Sequence, residues 1–179
     1  MKIIRKRHLP EIRLVDEIRW ESMAADYQYI TGIYGGKVLN IQLIYEPPTA
    51  QDYVNLRLRS GMGNKDLKRS QTALENSLFT VSLYDEKRLV GFGRVVGDGG
   101  ITYIVSDIMV DEEYRRKGFA EQIMGAIDNY FEENTHEDSY ICLIANHPAD
   151  KLYHKHGFNY LPEDKYGMLR NQNSDSTKL

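Results

Sequence analysis

The chain has 179 residues, of which 41% are hydrophobic and 27% charged, with a formal net charge of −3. These values predict one globular domain large enough to bury a core. The negative charge argues against a general nucleic-acid binder, because neutralising phosphates needs a basic excess. No apolar run reaches the roughly 18 residues of a membrane span, and residues 1–13 lack a signal-peptide core. We expect a cytoplasmic protein without membrane or nucleic-acid partners.

Neither cysteine nor histidine chemistry is indicated. The single cysteine, Cys142, rules out an internal disulfide framework and a cysteine zinc cluster. It lies in an apolar segment, which favours a packing role over a nucleophilic one. His154 and His156 are two positions apart, so on a helix they would not share a face. We therefore expect no metal site.

The first half of the chain begins without a regular pattern. Residues 11–20 are compatible with a short helix, and residues 30–38 with a hairpin or loop. A strand is predicted over Ile41–Tyr45, ended by two prolines. Thr49 is then a suitable N-cap for a helix carrying Tyr53, Leu56 and Leu58. A second helix follows over residues 64–77.

The second half alternates more clearly between strands and helices. Strands are predicted from Phe79, over Leu89–Val96 and over Ile101–Val110, joined by tight turns as an antiparallel meander. An apolar stripe then predicts a long helix through Phe119, Ile123, Ile127 and Phe131. Residues 139–146 resemble a strand at a sheet centre. A helix ending at Gly157 and a final strand within Phe158–Arg170 complete a mixed α/β domain.

The junction between the third meander strand and the long helix predicts an anion site. The first amides of a helix lack internal acceptors and carry the positive end of its dipole. Gly118 and Ala120 are small enough to let an anion approach those amides. A hydrogen bond to a charged group contributes about 1.5–3 kcal/mol, whereas an exposed ion pair contributes about 0–1 kcal/mol. The amides should therefore matter more than Arg115, Arg116 and Lys117, and a phosphate or pyrophosphate is the simplest ligand.

Two motifs resemble the GNAT N-acetyltransferase superfamily. After Val110, the run Arg115–Ala120 fits the family's pyrophosphate loop, Q/R-x-x-G-x-G/A. A second signature is matched by Asn146 and by the spacing of Ala149, Leu152, Tyr153, Gly157 and Phe158. Both occur in the expected strand–helix–strand–helix order. The resemblance implies a mostly antiparallel central sheet flanked by helices, the GNAT acyl-CoA N-acyltransferase fold.

The same resemblance implies a cosubstrate and its binding residues. Acetyl-CoA would lie where two central strands part, and no metal would take part. The pantetheine arm and thioester would meet the main chain of Ile108, Met109 and Val110. The segment Arg115, Arg116, Lys117, Gly118, Phe119, Ala120 would hold the pyrophosphate through its amides. Asn146 would contact the pantetheine side, unless it simply caps the following helix. Tyr153 would protonate the departing thiolate, although a core aromatic could occupy the same position.

The general base is the weakest match to the family. The usual positions on the third meander strand hold Ile104 and Ser106, and neither is a good base. Asp107 is the only carboxylate on that strand. Alternation would turn it away from the face of Ile108, unless a bulge intervenes. Asp107 as base, Asp107 in a structural role, a water chain and capture of neutral amine all stay open.

We therefore expect an acetyltransferase that moves an acetyl group to a primary amine by direct transfer in a ternary complex. The alternatives are a CoA or acyl-CoA sensor without turnover, and an interaction scaffold with this fold. We expect residues 1–40 to be an N-terminal extension, 41–170 the acetyltransferase domain and 171–179 a polar tail. The acceptor could be a small amine, an amino acid, an antibiotic or a protein amine, and the family pattern allows a homodimer.

Overall fold

A computed structural model describes residues 19–22, 28–34 and 37–170 of the chain. Within these ranges, a seven-stranded sheet is flanked by helices, with its strands in chain order. The strands are β1 (Arg19–Ser22), β2 (Gln28–Tyr34), β3 (Lys37–Ile44), β4 (Phe79–Asp85), β5 (Arg88–Gly97), β6 (Thr102–Val110) and β7 (Tyr140–Cys142). The helices are α1 (Ala50–Arg59), α2 (Leu67–Glu75), α3 (Phe119–Asn134) and α4 (Asp150–Lys155), with a 3₁₀ turn at Glu112–Tyr114.

Most strand and helix predictions are confirmed. The β4–β5–β6 meander is antiparallel, and the hairpin expected over residues 30–38 is formed by β2 and β3. Thr49 caps α1 by accepting a hydrogen bond from the Asp52 amide at 3.1 Å. Leu58, expected on the apolar face of α1, is 55% exposed. Of the helix suggested for residues 11–20, residues 11–18 lie outside the described part of the chain. Arg19 and Trp20 belong to the strand β1.

Two predictions near the C-terminal end are wrong. Residues 139–146 were expected as a strand at the sheet centre, but β7 is three residues long and pairs, in parallel, only with β6 among the described strands. A strand with one neighbour leaves its edge open, and Ile144 just beyond it is 75% exposed. No strand is assigned within Phe158–Arg170, where residues 159–170 are exposed and have no described sheet partner. Without a paired neighbour, an apolar pattern does not suffice to form a strand.

The core has two parts, one on each face of the sheet. On one face, α3 packs through Phe119, Ile123 and Ile127. On the other face, α1 and α2 pack around Tyr53, Phe92 and Met109. Gly93 of β5 is required beneath α3, since a Cβ at that position would collide with Ile123. Within the described ranges, no helix is both long and apolar enough to cross a membrane.

Candidate active site

A β-bulge interrupts β6 next to the site. Phe92 of β5 pairs with Met109, whereas Arg94 pairs with Ser106, so Asp107 and Ile108 together oppose Gly93. Asp107 takes a φ of 55°, a conformation uncommon outside glycine. Ile108 packs towards α3, whereas Asp107 contacts α1. The bulge therefore does not bring Asp107 to the face of Ile108, and the two side chains lie on opposite faces of the sheet.

Asp107 is held by three side chains. Its Oδ1 accepts from Arg57 Nη1 at 2.7 Å, and its Oδ2 accepts from Arg94 Nε at 2.7 Å and from the Tyr53 hydroxyl at 2.8 Å. Its side chain is 9% exposed. Burial alone would raise the pKa of Asp107, but the hydrogen bond and charge of Arg94, with Tyr53 and Arg57, outweigh burial and lower that pKa. This carboxylate is therefore a weak proton acceptor.

The strands β6 and β7 part beside the bulge. Their pairing ends at Ile104 and Cys142, while β6 continues to Val110. On that side of residues 105–110, no described strand pairs with β6. The backbone groups of Ile108, Met109 and Val110 that face this opening are thus free to meet a ligand.

Asp111 fixes the chain where it leaves β6. Its carboxylate is buried and accepts from Arg59 Nε at 2.6 Å and from Arg88 Nη2 at 2.9 Å. Its amide donates to the Val90 carbonyl at 2.9 Å. The following 3₁₀ turn is held by Tyr114, whose hydroxyl donates to Asp85 at 2.6 Å. The loop before α3 therefore starts from a rigid base.

The loop presents unpaired amides at the start of α3. Gly118 is the N-cap residue of α3, with a φ of 80°, and no side chain caps the helix. A Cβ on Gly118 would meet nothing within 4 Å, so the space above it is open. Arg116 also has a positive φ, 61°. Among the described residues, the amides of Phe119, Ala120 and Glu121 have no acceptor.

Two of the three basic side chains in this loop are engaged locally. Arg115 Nη2 donates to the Ser60 carbonyl at 2.8 Å, and Lys117 Nζ donates to the Glu113 carbonyl at 2.6 Å. The Lys117 ammonium also lies 4.8 Å from the centre of the Tyr114 ring. Of these three side chains, only that of Arg116 lacks a partner in the described part of the chain. The side-chain charge that remains available to a ligand is therefore smaller than the sequence suggests.

The second motif lies on and around α4. Tyr153 is half-buried, packs on the α3 core and stands edge-on to Phe158, with ring centres 6.3 Å apart. Burial raises the pKa of Tyr153, so its phenol stays protonated. Gly157 ends the helix with a φ of 81°. Asn146 does not cap α4 through its side chain, because the N-cap residue is Ala149 and no side-chain cap bond forms. The exposed Asn146 side chain is free for a ligand.

A cavity of about 440 Å³ lies on the other side of the bulge, between the α1–α2 segment and the strands β5 and β6. Its lining includes Ser106 and the bulge residue Asp107 of β6 and the helix residues Tyr53 and Ser70. The cavity therefore borders β6 at the bulge, on the face of the sheet that carries α1 and α2.

Sequence reasoning missed three residues that build this site: Arg57, Arg94 and Asp111. Their partners lie far away along the chain, so no local spacing connects them. Charged residues within otherwise apolar strands, such as Arg94 in β5, were the only signal available. No group of three or more His, Cys, Asp or Glu side chains that could hold a metal occurs among the described residues.

Comparison with known proteins agrees with this architecture. The acetyltransferase (GNAT) domain family matches residues 75–160. A probable acetyltransferase of unknown function from methicillin-resistant Staphylococcus aureus is 41% identical, with a TM-score of 0.70 over 73% of this chain and 98% of that one. A GNAT family acetyltransferase from Streptococcus pneumoniae is 25% identical, with a TM-score of 0.62 over 74% and 99% of the two chains. No match was found among curated proteins.

The fold of sheet, bulge and loop is that of an acyl-CoA N-acyltransferase. This chain belongs to the GNAT family of acetyltransferases and is an acyltransferase. The ribosomal-protein-S18-alanine N-acetyltransferase of Escherichia coli shares the fold, at 18% identity and a TM-score of 0.57 over 68% of this chain and 79% of that one.

Proposed function

We propose that the protein transfers an acetyl group from acetyl-CoA to a primary amine by direct attack within a ternary complex. The observation that carries this proposal is the junction of β6 with α3. An open strand edge at Ile108–Val110 leads to a loop whose helix amides have no internal acceptor. This arrangement suits an extended ligand with an amide-containing arm and a pyrophosphate.

Two parts of acetyl-CoA, the pantetheine arm and the pyrophosphate, have candidate partners. The pantetheine arm would pair with the main chain of Ile108, Met109 and Val110 as an added strand, with Asn146 on its other side. The pyrophosphate would accept hydrogen bonds from the amides between Arg116 and Ala120. Of the basic side chains, Arg116 alone would add a free charge. Arg115 and Lys117 would contribute through the shape of the loop.

The proposed reaction has one bond-forming and one bond-breaking step. The neutral amine nitrogen attacks the thioester carbonyl carbon, and a β6 amide stabilises the oxyanion that develops. Collapse of that intermediate breaks the carbon–sulfur bond. The Tyr153 phenol gives its proton to the departing CoA thiolate. The attacking nitrogen, which carries a surplus proton once it has bonded to the carbonyl carbon, releases that proton to water, and the Tyr153 phenolate is reprotonated from water. Its raised pKa keeps Tyr153 protonated at neutral pH, which suits this role.

The amine must lose a proton before it attacks, because its pKa is near 10.4. The geometry of Asp107 favours a structural role over that of the base, since Arg57, Arg94 and Tyr53 occupy its oxygens. We propose that Asp107 holds α1 and β5 together behind the bulge. Capture of the neutral amine, with proton loss through water, is then the route for deprotonation.

The test is calorimetric titration with acetyl-CoA and CoA, followed by thiol release against a panel of amines. Micromolar binding of acetyl-CoA and CoA release with at least one amine are expected. Absence of binding would contradict the proposal and leave the family membership as a statement about fold. Tight binding without turnover on any amine would favour the acyl-CoA sensor instead.

A further inference from the structure

The cavity beside the bulge has an excess of positive charge. Four cationic side chains line it: Arg57, Lys65, Arg69 and Arg94. Two carboxylates oppose them: Asp66 and Asp107. Four positive and two negative groups leave two positive charges without a matching carboxylate. An amine site built for a cationic acceptor would show the opposite balance, because like charges at close range repel.

The two more buried arginines of the cavity, Arg57 and Arg94, differ in how many of their N–H donors have a hydrogen-bond partner. Arg57 donates to Asp107, to the Met62 carbonyl at 2.8 Å and to the Gly63 carbonyl at 3.1 Å, so its guanidinium is fully engaged. Arg94 donates through Nε to Asp107 and through Nη1 to the Ala73 carbonyl at 3.1 Å. Arg94 Nη2 has no partner among the described residues. The Arg94 side chain is 14% exposed and lines the cavity.

The remaining cations stand near the start of α2. Lys65 and Arg69 are exposed, and neither side chain has a partner in the described part of the chain. The carboxylate of Asp66 is occupied as the helix cap, where it accepts from the Arg69 amide at 2.8 Å. That bond leaves the negative charge of Asp66 in place, so the excess over the lining carboxylates stays at two positive charges. Three cationic groups, Arg94 Nη2, Lys65 and Arg69, are left to meet a ligand.

We propose that this cavity selects a small acceptor that carries a carboxylate in addition to its amine, as an amino acid does. This inference rests on the proposed function, since it names the acceptor class of the same site. Guanidinium groups match a carboxylate with paired hydrogen bonds. A volume of about 440 Å³ suits a small molecule. The amine would point towards Ser106 and the bulge residue Asp107, and polycationic amines would be excluded.

Matched acceptors test this selection directly. Amino acids, their primary amides and amino phosphomonoesters are compared at saturating acetyl-CoA by thiol release. We expect kcat/KM for an amino acid to exceed that for its amide at least about tenfold, with each value corrected for the fraction of neutral amine, and tenfold corresponds to about 1.4 kcal/mol. A phosphomonoester preferred over the carboxylate would overturn the assignment to carboxylates and leave a phosphate site. Equal rates for acid and amide, or a preference for polyamines, would overturn the inference and leave the acetyltransferase intact.

Two exposed positions allow the site to be altered without disturbing the core. Arg69→Gln and Lys65→Gln should each raise KM for the amino acid about tenfold and leave KM for its amide unchanged. Lys68→Gln is the matched control, since Lys68 is exposed on α2 and does not line the cavity. All three variants should bind acetyl-CoA as the unaltered protein does. A KM that does not change in Arg69→Gln and Lys65→Gln would contradict the site.

A binding measurement keeps the inference testable without turnover. N-acetyl amino acids, the product class, are titrated calorimetrically beside their amides, with and without CoA. Binding of the acid alone, weakened about tenfold by Arg69→Gln, is expected. If acetyl-CoA fails to bind while the acid binds in this way, the proposed function fails but the carboxylate site stands. If neither acid nor amide binds, the inference is refuted.

Discussion

The Tyr34 hydroxyl donates a hydrogen bond to the backbone carbonyl of Lys117 at 3.1 Å. Tyr34 ends β2, and Lys117 lies in the loop before α3, 83 positions along the chain. The Tyr34 ring also lies 5.8 Å from the Lys117 ammonium and 6.0 Å from the ring of Phe119. The loop before α3 is therefore supported by β2, a strand that precedes the part of the chain with the family motifs.

Removing this hydroxyl should loosen the loop. In Tyr34→Phe the carbonyl of Lys117 loses its donor, and a typical hydrogen bond contributes about 0.5–1.5 kcal/mol. We expect the Kd for acetyl-CoA to rise about two- to tenfold, measured by calorimetry. Tyr45→Phe is the control, because the Tyr45 hydroxyl has no hydrogen-bond partner among the described residues. Equal affinities for both variants would show that Tyr34 does not support the loop.

Variants of the loop before α3 distinguish binding of acetyl-CoA by backbone amides from binding by basic side chains. Gly118→Glu should abolish acetyl-CoA binding, because it places bulk and negative charge above the amides of α3. Arg116→Ala should raise the Kd less than about fivefold, the effect of an exposed ion pair. Gly118→Ala is the control for backbone strain, since the φ of 80° disfavours any side chain. Comparable losses in Gly118→Glu and Arg116→Ala would show that side-chain charge dominates the site.

Tyr153→Phe tests the general acid. Loss of the phenol proton should lower kcat about a hundredfold or more, within the range for general acid catalysis. KM for acetyl-CoA should change little, because the ring still packs against Phe158. Tyr166→Phe is a suitable control, since Tyr166 is 82% exposed. An unaltered kcat in Tyr153→Phe would return this tyrosine to a packing role.

Asp107→Asn tests the buried ion pairs. The change leaves Arg57 and Arg94 without their carboxylate, and breaking a buried pair costs about 3–5 kcal/mol. Chemical denaturation at pH 7 should show this loss. Asp164→Asn, at an exposed position without a described partner, should leave the free energy of unfolding unchanged.

The pH dependence of stability follows from the same carboxylate. The pKa of Asp107 is lowered in the folded state from its ordinary value of 3.8. Its stabilising contribution is therefore complete above that ordinary pKa and is lost as the pH falls through the lower folded value. Asp107→Asn should flatten the decline of stability with acid below about pH 4. An identical acid profile in the two proteins would contradict the ion-pair assignment.

Local sequence determined the parts of this protein whose physics is local. Alternation in β4 and the apolar stripe of α3 depend on residues a few positions apart, and so does the cap at Thr49. The loop motif around Gly118 is also continuous in the chain, because the amides of the proposed site belong to one helix start. The mixed α/β class could therefore be predicted from the residues, and the family fold followed from the resemblance that the two motifs carry.

Tertiary structure decided the features that depend on which elements become neighbours. The bulge at Asp107 arises from the register between β5 and β6, and strand periodicity does not encode register. Arg57 and Arg94 meet Asp107 only after α1 and β5 pack around β6. The position of β7 at the edge of the described sheet likewise depends on which strands pair with it. Such contacts join distant residues, and their energies exist only once the chain has folded.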